Sequence, residues 1–126
     1  MRALLLVALG GAIGASGRWA TGLAVTRLAG TRYPFATFAV NVIGSLLIGL
    51  VLEATERPGL FAAEIRLAVA TGLLGAFTTF STFSFETLRL IRGGEYGPAL
   101  LNAVGSVVVC LGACALGVGL ARLVTR

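Results

Sequence analysis

"TTFSTFS", Thr78 to Ser84, puts five hydroxyls and two phenylalanines into seven residues. It lies within Leu67 to Phe85, a stretch that carries no charge. A bilayer core of about 30 Å is crossed by roughly 20 apolar residues, so this stretch reads as a membrane helix. Its hydroxyls then need a purpose, because lipid offers them no partner.

The rest of the chain agrees with the membrane reading. The 126 residues are 57% hydrophobic and 12% charged, with a mean hydropathy of +0.97, too apolar for a soluble domain of this size. Eighteen glycines suit close helix–helix approach in lipid. All ten positive side chains are Arg and all five negative ones Glu, with no His. The net +5 is scattered singly, which suits interfacial anchoring rather than a nucleic-acid patch. The lack of His and Asp removes most hydrolase, metal and proton-shuttle constellations. Cys110 and Cys114, spaced as helix neighbours in an apolar run, read as small buried residues.

Apolar runs from Ala3 to about Thr26, Tyr33 to Leu52, Leu67 to Phe85 and Tyr96 to Ala121 give four spans. With their ends, the helices are expected at about 3–28, 33–53, 66–90 and 96–122. They form a single all-α transmembrane domain over residues 1–126, with both termini on one side. The N-terminal run continues through "GGAIGASGRW" into further spans, so it is a first helix and not a cleavable signal. Orientation follows the arginines. Arg2, Arg57, Arg66, Arg122 and Arg126 fall on the termini side, and Arg27, Arg32, Arg89 and Arg92 on the other, which is five against four. That near-balance predicts a dual-topology protein whose copies pair antiparallel. Four thin helices also enclose a polar path poorly alone, which favours an oligomer.

The last three spans each carry a polar stripe at helical spacing. Thr37, Asn41 and Ser45 form one, and Asn102, Ser106, Cys110 and Cys114 another. In the third span Thr78, Ser81, Thr82 and Phe85 share a side, with Phe77, Phe80 and Phe83 adjacent. Interhelical hydrogen bonding explains part of this, as the Gly10–Gly14 and Ser45–Gly49 pairs do for packing. Three converging stripes would in addition line a narrow polar path. Neutral donors and the positive edges of phenylalanine rings suit a small anion, and they bind it weakly enough for release. Arg18, inside the first span, either faces a watery vestibule and gathers anions or snorkels to the interface. Glu86 is an interface or vestibule acid. The glycines of "TGLLGAF", Thr71 to Phe77, weaken the third helix near its middle, where a break would free carbonyls for a cation.

"GGAIGASGRW", "NVIGSLLIGL" and above all "TGLLGAFTTFSTFSFE" resemble the Fluc/CrcB family of fluoride channels. The resemblance implies an antiparallel, dual-topology homodimer in the cell (inner or plasma) membrane. Two pores between its subunits would pass fluoride outward passively and lower cytoplasmic fluoride and its toxicity. It implies Phe80 and Phe83 as the pore phenylalanines, Asn41 as a donor, and Ser81, Thr82 and Ser84 as a hydroxyl track. Carbonyls of Gly75 and Thr78 from both subunits would hold a structural, untransported sodium ion at the dimer centre. Arg18 and Glu86 would belong to the vestibules. Ser106 is the leading pore residue of the fourth helix, with Asn102 behind it; Cys110 and Cys114 stand where hydroxyls are expected. Two other readings are a small multidrug-type exchanger and a non-transporting accessory subunit. The exchanger needs a carboxylate in the first helix, where this chain has Arg18 and no acid.

Overall fold

The computed structural model describes residues 1–31, 33–56 and 62–124. Arg32, Arg57 and Arg126, three of the arginines in the charge comparison, lie outside the described residues. The described residues are helical with no strand, and four segments are long and apolar enough to cross a membrane. These are the first helix, Arg2–Ala29, the second helix, Phe35–Ala54, the third span, Ala62–Arg92, and the fourth span, Tyr96–Val124. In hydrocarbon a helix is favoured because it satisfies its own backbone polar groups. Turn residues punctuate the series. Gly30 takes φ 79°, a region only glycine enters freely, and its N–H caps the Thr26 carbonyl. Gly94, φ 75°, turns the chain between the third and fourth spans.

The third span is bent but joined, which corrects the expectation of a helix broken at its glycines. Across Arg66–Leu74 the backbone is π-helical, and Gly75–Phe77 continues as α-helix. The chain departs from helix one step later, at Thr78 (φ −81°, ψ 159°) and Thr79 (φ −151°, ψ 112°), and resumes as Phe80–Arg92. A wider i→i+5 ring keeps the glycine region hydrogen-bonded, so it need not open. The bend falls instead where the backbone finds a better partner on another helix. A second π-helical stretch, Leu101–Gly105, lies in the fourth span.

Backbones approach closely at glycines. The first helix packs along the first half of the third span, and the second helix along the fourth span. A Cβ on Gly10 would collide with the Ala68 carbonyl oxygen, and one on Gly14 with that of Leu73. From the opposite side, a Cβ on Gly72 would come within 2.8 Å of the Val7 carbonyl. The second interface repeats the device, with Gly49 against the Cys114 carbonyl and Gly117 against that of Leu46. Between these seams lies a small core that includes Val40, Ala70, Leu74, Leu90 and Ala121. Contact through small residues replaces the hydrophobic drive that lipid-immersed helices lack.

Polar ties fasten one end of the bundle. Arg2 pairs with Glu64 at 3.5 Å and Arg122 with Glu53 at 2.7 Å. Arg66 donates to the Thr55 hydroxyl and the Leu52 carbonyl, both at 3.0 Å. The first helix is thus joined to the third span, the third to the second, and the fourth to the second.

These seams predict a sharp contrast between glycines. Gly14→Ala should lower stability by about 1–3 kcal/mol, because the colliding atom is backbone and cannot rotate away. Gly112→Ala, with nothing within 4 Å of its added carbon, should leave stability unchanged or better. Thermal unfolding of the purified protein in detergent measures both.

Candidate functional site

The site is organised by Thr79. Its backbone N–H donates to Asn41 Oδ1 at 2.8 Å, and its carbonyl accepts from Asn41 Nδ2 at 3.1 Å. The primary amide thereby plays the part of a neighbouring strand for one extended residue. Thr79 Oγ1 then accepts the Thr82 N–H at 3.2 Å, capping the Phe80–Arg92 helix. The same hydroxyl donates to Thr82 Oγ1 at 2.9 Å and lies 3.3 Å from Ser81 Oγ. On the other flank of the bend, Thr78 sends both its N–H (3.1 Å) and its hydroxyl (3.0 Å) to the Leu74 carbonyl.

Two N–H groups are diverted by this arrangement. In an α-helix the Thr79 N–H would point at the Gly75 carbonyl and the Thr82 N–H at the Thr78 carbonyl, four residues back. Here they go to Asn41 Oδ1 and Thr79 Oγ1.

Two clefts lie on either side of the bend, and Thr79 lines both. One, of about 390 Å³, is walled by Arg18, Gly22, Thr37, Ser81 and Thr82 among others. The other, of about 260 Å³, has Asn41, Ser45, Phe80, Phe83, Ser106 and Cys110 in its lining. Arg18 and hydroxyl residues thus line one space, and two aromatic rings, an amide, several hydroxyl residues and a thiol line the next. Among the described residues no carboxylate lines either cleft. The Phe80 and Phe83 centroids are 5.4 Å apart with their planes at 41°. Phe80 is 77% exposed in the single chain, so its ring stands out from the bundle.

The structure gathers most of the sequence candidates and sets some apart. Asn41, Phe80, Phe83 and Ser106 meet in one cleft, and Arg18, Ser81 and Thr82 in the other. Thr78 also lines the aromatic cleft, and its methyl packs where Gly44 leaves room. Ser84 lies outside both, its hydroxyl turned back onto the Phe80 carbonyl at 2.9 Å. Asn102, 2% exposed, is also outside. Its Nδ2 donates to Thr87 Oγ1 at 2.9 Å, and that hydroxyl donates to the Phe83 carbonyl at 2.8 Å. Ser106 Oγ reaches Asn102 Oδ1 at 3.5 Å. Glu86 sits against the Thr37 hydroxyl and the charge of Arg89. Its Oε2 is buried with no hydrogen-bond partner among the described residues. Cys110 faces the aromatic cleft, while Cys114 belongs to the seam at Gly49.

Thr79 is the residue that stripe-reading passes over. Its sequence signal is an N-cap one: a Thr opening the amphipathic run that begins at Phe80.

Comparison with known proteins places this geometry in context. A family model described as CrcB-like protein, Camphor Resistance (CrcB), matches residues 5–118. The chain is 46% identical over 122 residues to a protein of Geobacter sulfurreducens, covering 97% of this chain and 98% of that one. It is 48% identical over 117 residues to one of Thermus thermophilus, covering 93% of each. A third, from Chloroflexus aurantiacus, is 45% identical over 122 residues, with 97% of each chain covered. All three carry the name fluoride-specific ion channel FluC.

Asn102 should behave as a structural residue that positions Phe83. Asn102→Ala strips Thr87 and Ser106 of a buried partner and should cost about 1–3 kcal/mol, read from thermal unfolding. An unchanged midpoint would return Asn102 to the path itself.

Proposed function

The chain belongs to the CrcB-like family, and from that membership and the chemistry of the two clefts we propose that it is a fluoride-specific channel. It is a multi-pass membrane protein that lets fluoride leave the cell passively and so lowers its cytoplasmic level and toxicity. The observation that carries this reading is the pair of carboxylate-free clefts meeting at Thr79.

Fluoride is small and strongly hydrated, so a path must replace its water with donors that do not trap it. Arg18 raises the local anion concentration in its cleft. The hydroxyls of Thr37, Ser81 and Thr82 then stand in for hydration water, each a neutral donor. Beyond Thr79, the edges of Phe80 and Phe83 offer positive quadrupole density and the Ser106 hydroxyl a further donor. Asn41 Nδ2 gives one proton to the Thr79 carbonyl and retains a second for the ion. Cys110, a weaker donor than a hydroxyl, softens the far end of the track.

The working unit in this reading is an antiparallel, dual-topology homodimer with two pores between subunits. The five-to-four division of arginines supports it, as does the exposure of Phe80, whose ring awaits a neighbouring surface. Carbonyls of Gly75 and Thr78 from both subunits would hold a structural sodium ion. The donor set fits, since the N–H groups that an α-helix would aim at these carbonyls are engaged elsewhere. Sodium bound there would supply a fixed positive charge and cross-link the subunits.

A multidrug-type exchanger is not favoured, because among the described residues no acid lines either cleft to couple protons to a cation. Liposomes holding the purified protein should release fluoride rapidly with pH clamped, as followed by a fluoride electrode. Comparable chloride flux, or flux that needs a proton gradient, would sink the channel reading. Phe80→Ile keeps an apolar side chain but removes the ring edge, and it should slow fluoride efflux by roughly tenfold or more.

A further inference from the structure

The hydrogen bonds around the bend assign to Asn41 and Thr79 a task separate from contact with the anion. We propose that Asn41 and the Thr79 hydroxyl are positioning groups for the cation: together they take the two N–H groups that would otherwise occupy the Gly75 and Thr78 carbonyls. The inference deepens the channel reading and rests on its cation site.

Asn41 Oδ1 accepts the Thr79 N–H at 2.8 Å, and this relieves Gly75 O of its α-helical donor. Thr79 Oγ1 accepts the Thr82 N–H at 3.2 Å, which relieves Thr78 O in the same way. Neither diversion stands alone. Asn41 Nδ2 holds the Thr79 carbonyl at 3.1 Å, so the residue stays extended (φ −151°, ψ 112°) and its hydroxyl remains placed over the next turn. Remove either group, and the N–H it accepts can close a helical bond onto the carbonyl left behind. A carbonyl sharing its lone pairs with an N–H competes less well for a cation. Each net hydrogen bond is worth about 1 kcal/mol, and a substitution removes its diversion in both subunits that share the ion, so cation binding should weaken by roughly thirtyfold.

The arrangement also explains why one asparagine sits in a wall of hydroxyls. A hydroxyl in its place could offer a single oxygen, whereas an amide donates and accepts at once along the edge of a peptide. Thr79 in turn must carry a hydroxyl, but its methyl is dispensable to the cap.

The test is the sodium dependence of thermal unfolding, since an ion that binds only the folded state raises stability as the logarithm of one plus its concentration over its Kd, and so raises the midpoint. Parent, Asn41→Leu, Thr79→Val and Thr79→Ser proteins are melted in detergent across a sodium chloride series. N-methylglucamine chloride keeps ionic strength constant. Asn41→Leu and Thr79→Val should need roughly thirtyfold more sodium to reach the same midpoint rise over their own sodium-free values. Thr79→Ser should match the parent. Variants with parental sodium dependence overturn the inference, and so does a parent whose midpoint ignores sodium. If Asn41→Leu does not fold, the Thr79→Val and Thr79→Ser pair decides the matter, because the two differ in the hydroxyl that makes the cap. Fluoride efflux of the parent, measured in parallel, is a separate readout. Its failure would strike the channel reading, whatever the sodium series shows.

Discussion

The pairing of Asn41 with both backbone groups of Thr79 is the constraint on which the site depends. A membrane helix can leave its ladder only if the released groups find partners inside the protein. Asn41 supplies them from the second helix, 38 residues away in sequence. Once Thr79 is extended, its hydroxyl caps the following helix. That helix then starts in the register that places Phe80 and Phe83 over one cleft and Ser81 and Thr82 over the other. The aromatic and hydroxyl faces are consequences of one bend, and the bend is a consequence of one amide.

The bend must be carried by a rigid frame, and glycine seams provide it. At Gly10, Gly14, Gly49 and Gly117 the helices touch backbone to backbone. The second helix can therefore present Asn41 to Thr79 at hydrogen-bonding distance. Gly44 opens the space into which the Thr78 methyl fits beside that contact. Behind the aromatic face a chain from buried Ser106 and Asn102 through half-buried Thr87 ends on the Phe83 carbonyl and ties the fourth span to the same register.

Much of this is legible in the sequence because it is periodic. Hydropathy locates the four spans, and the four-residue spacing of Asn41 with Ser45, and of Ser106 with Cys110, anticipates two walls of one cleft. The position of the bend is not legible. Glycine weakens a helix in isolation, yet π-helical bonding to Leu74 and α-helical bonding over Gly75–Phe77 hold the Thr71–Phe77 region together, and the departure occurs at two threonines. A side chain that pairs with a distant peptide leaves no periodic trace. Asn102 misleads for a related reason. Its stripe is real, but at its register the polar group meets Thr87 instead of open space. Thr79 escapes notice because its role is to cap and to be held, which a face-by-face reading does not register.

The ties between helix ends are unevenly shared. Among the described residues both ion pairs, together with the Arg66 bonds, lie at the end that holds the chain termini. The chain is therefore clamped by charge like the handle of a tuning fork, while on the Gly94 half the third and fourth spans are tied by the neutral hydrogen bonds of Asn102 and Thr87. In an antiparallel pair the handle of one copy would stand beside the tips of the other. Each face of the membrane would then meet one stiff and one compliant half. Such an assembly would have no mechanically preferred side.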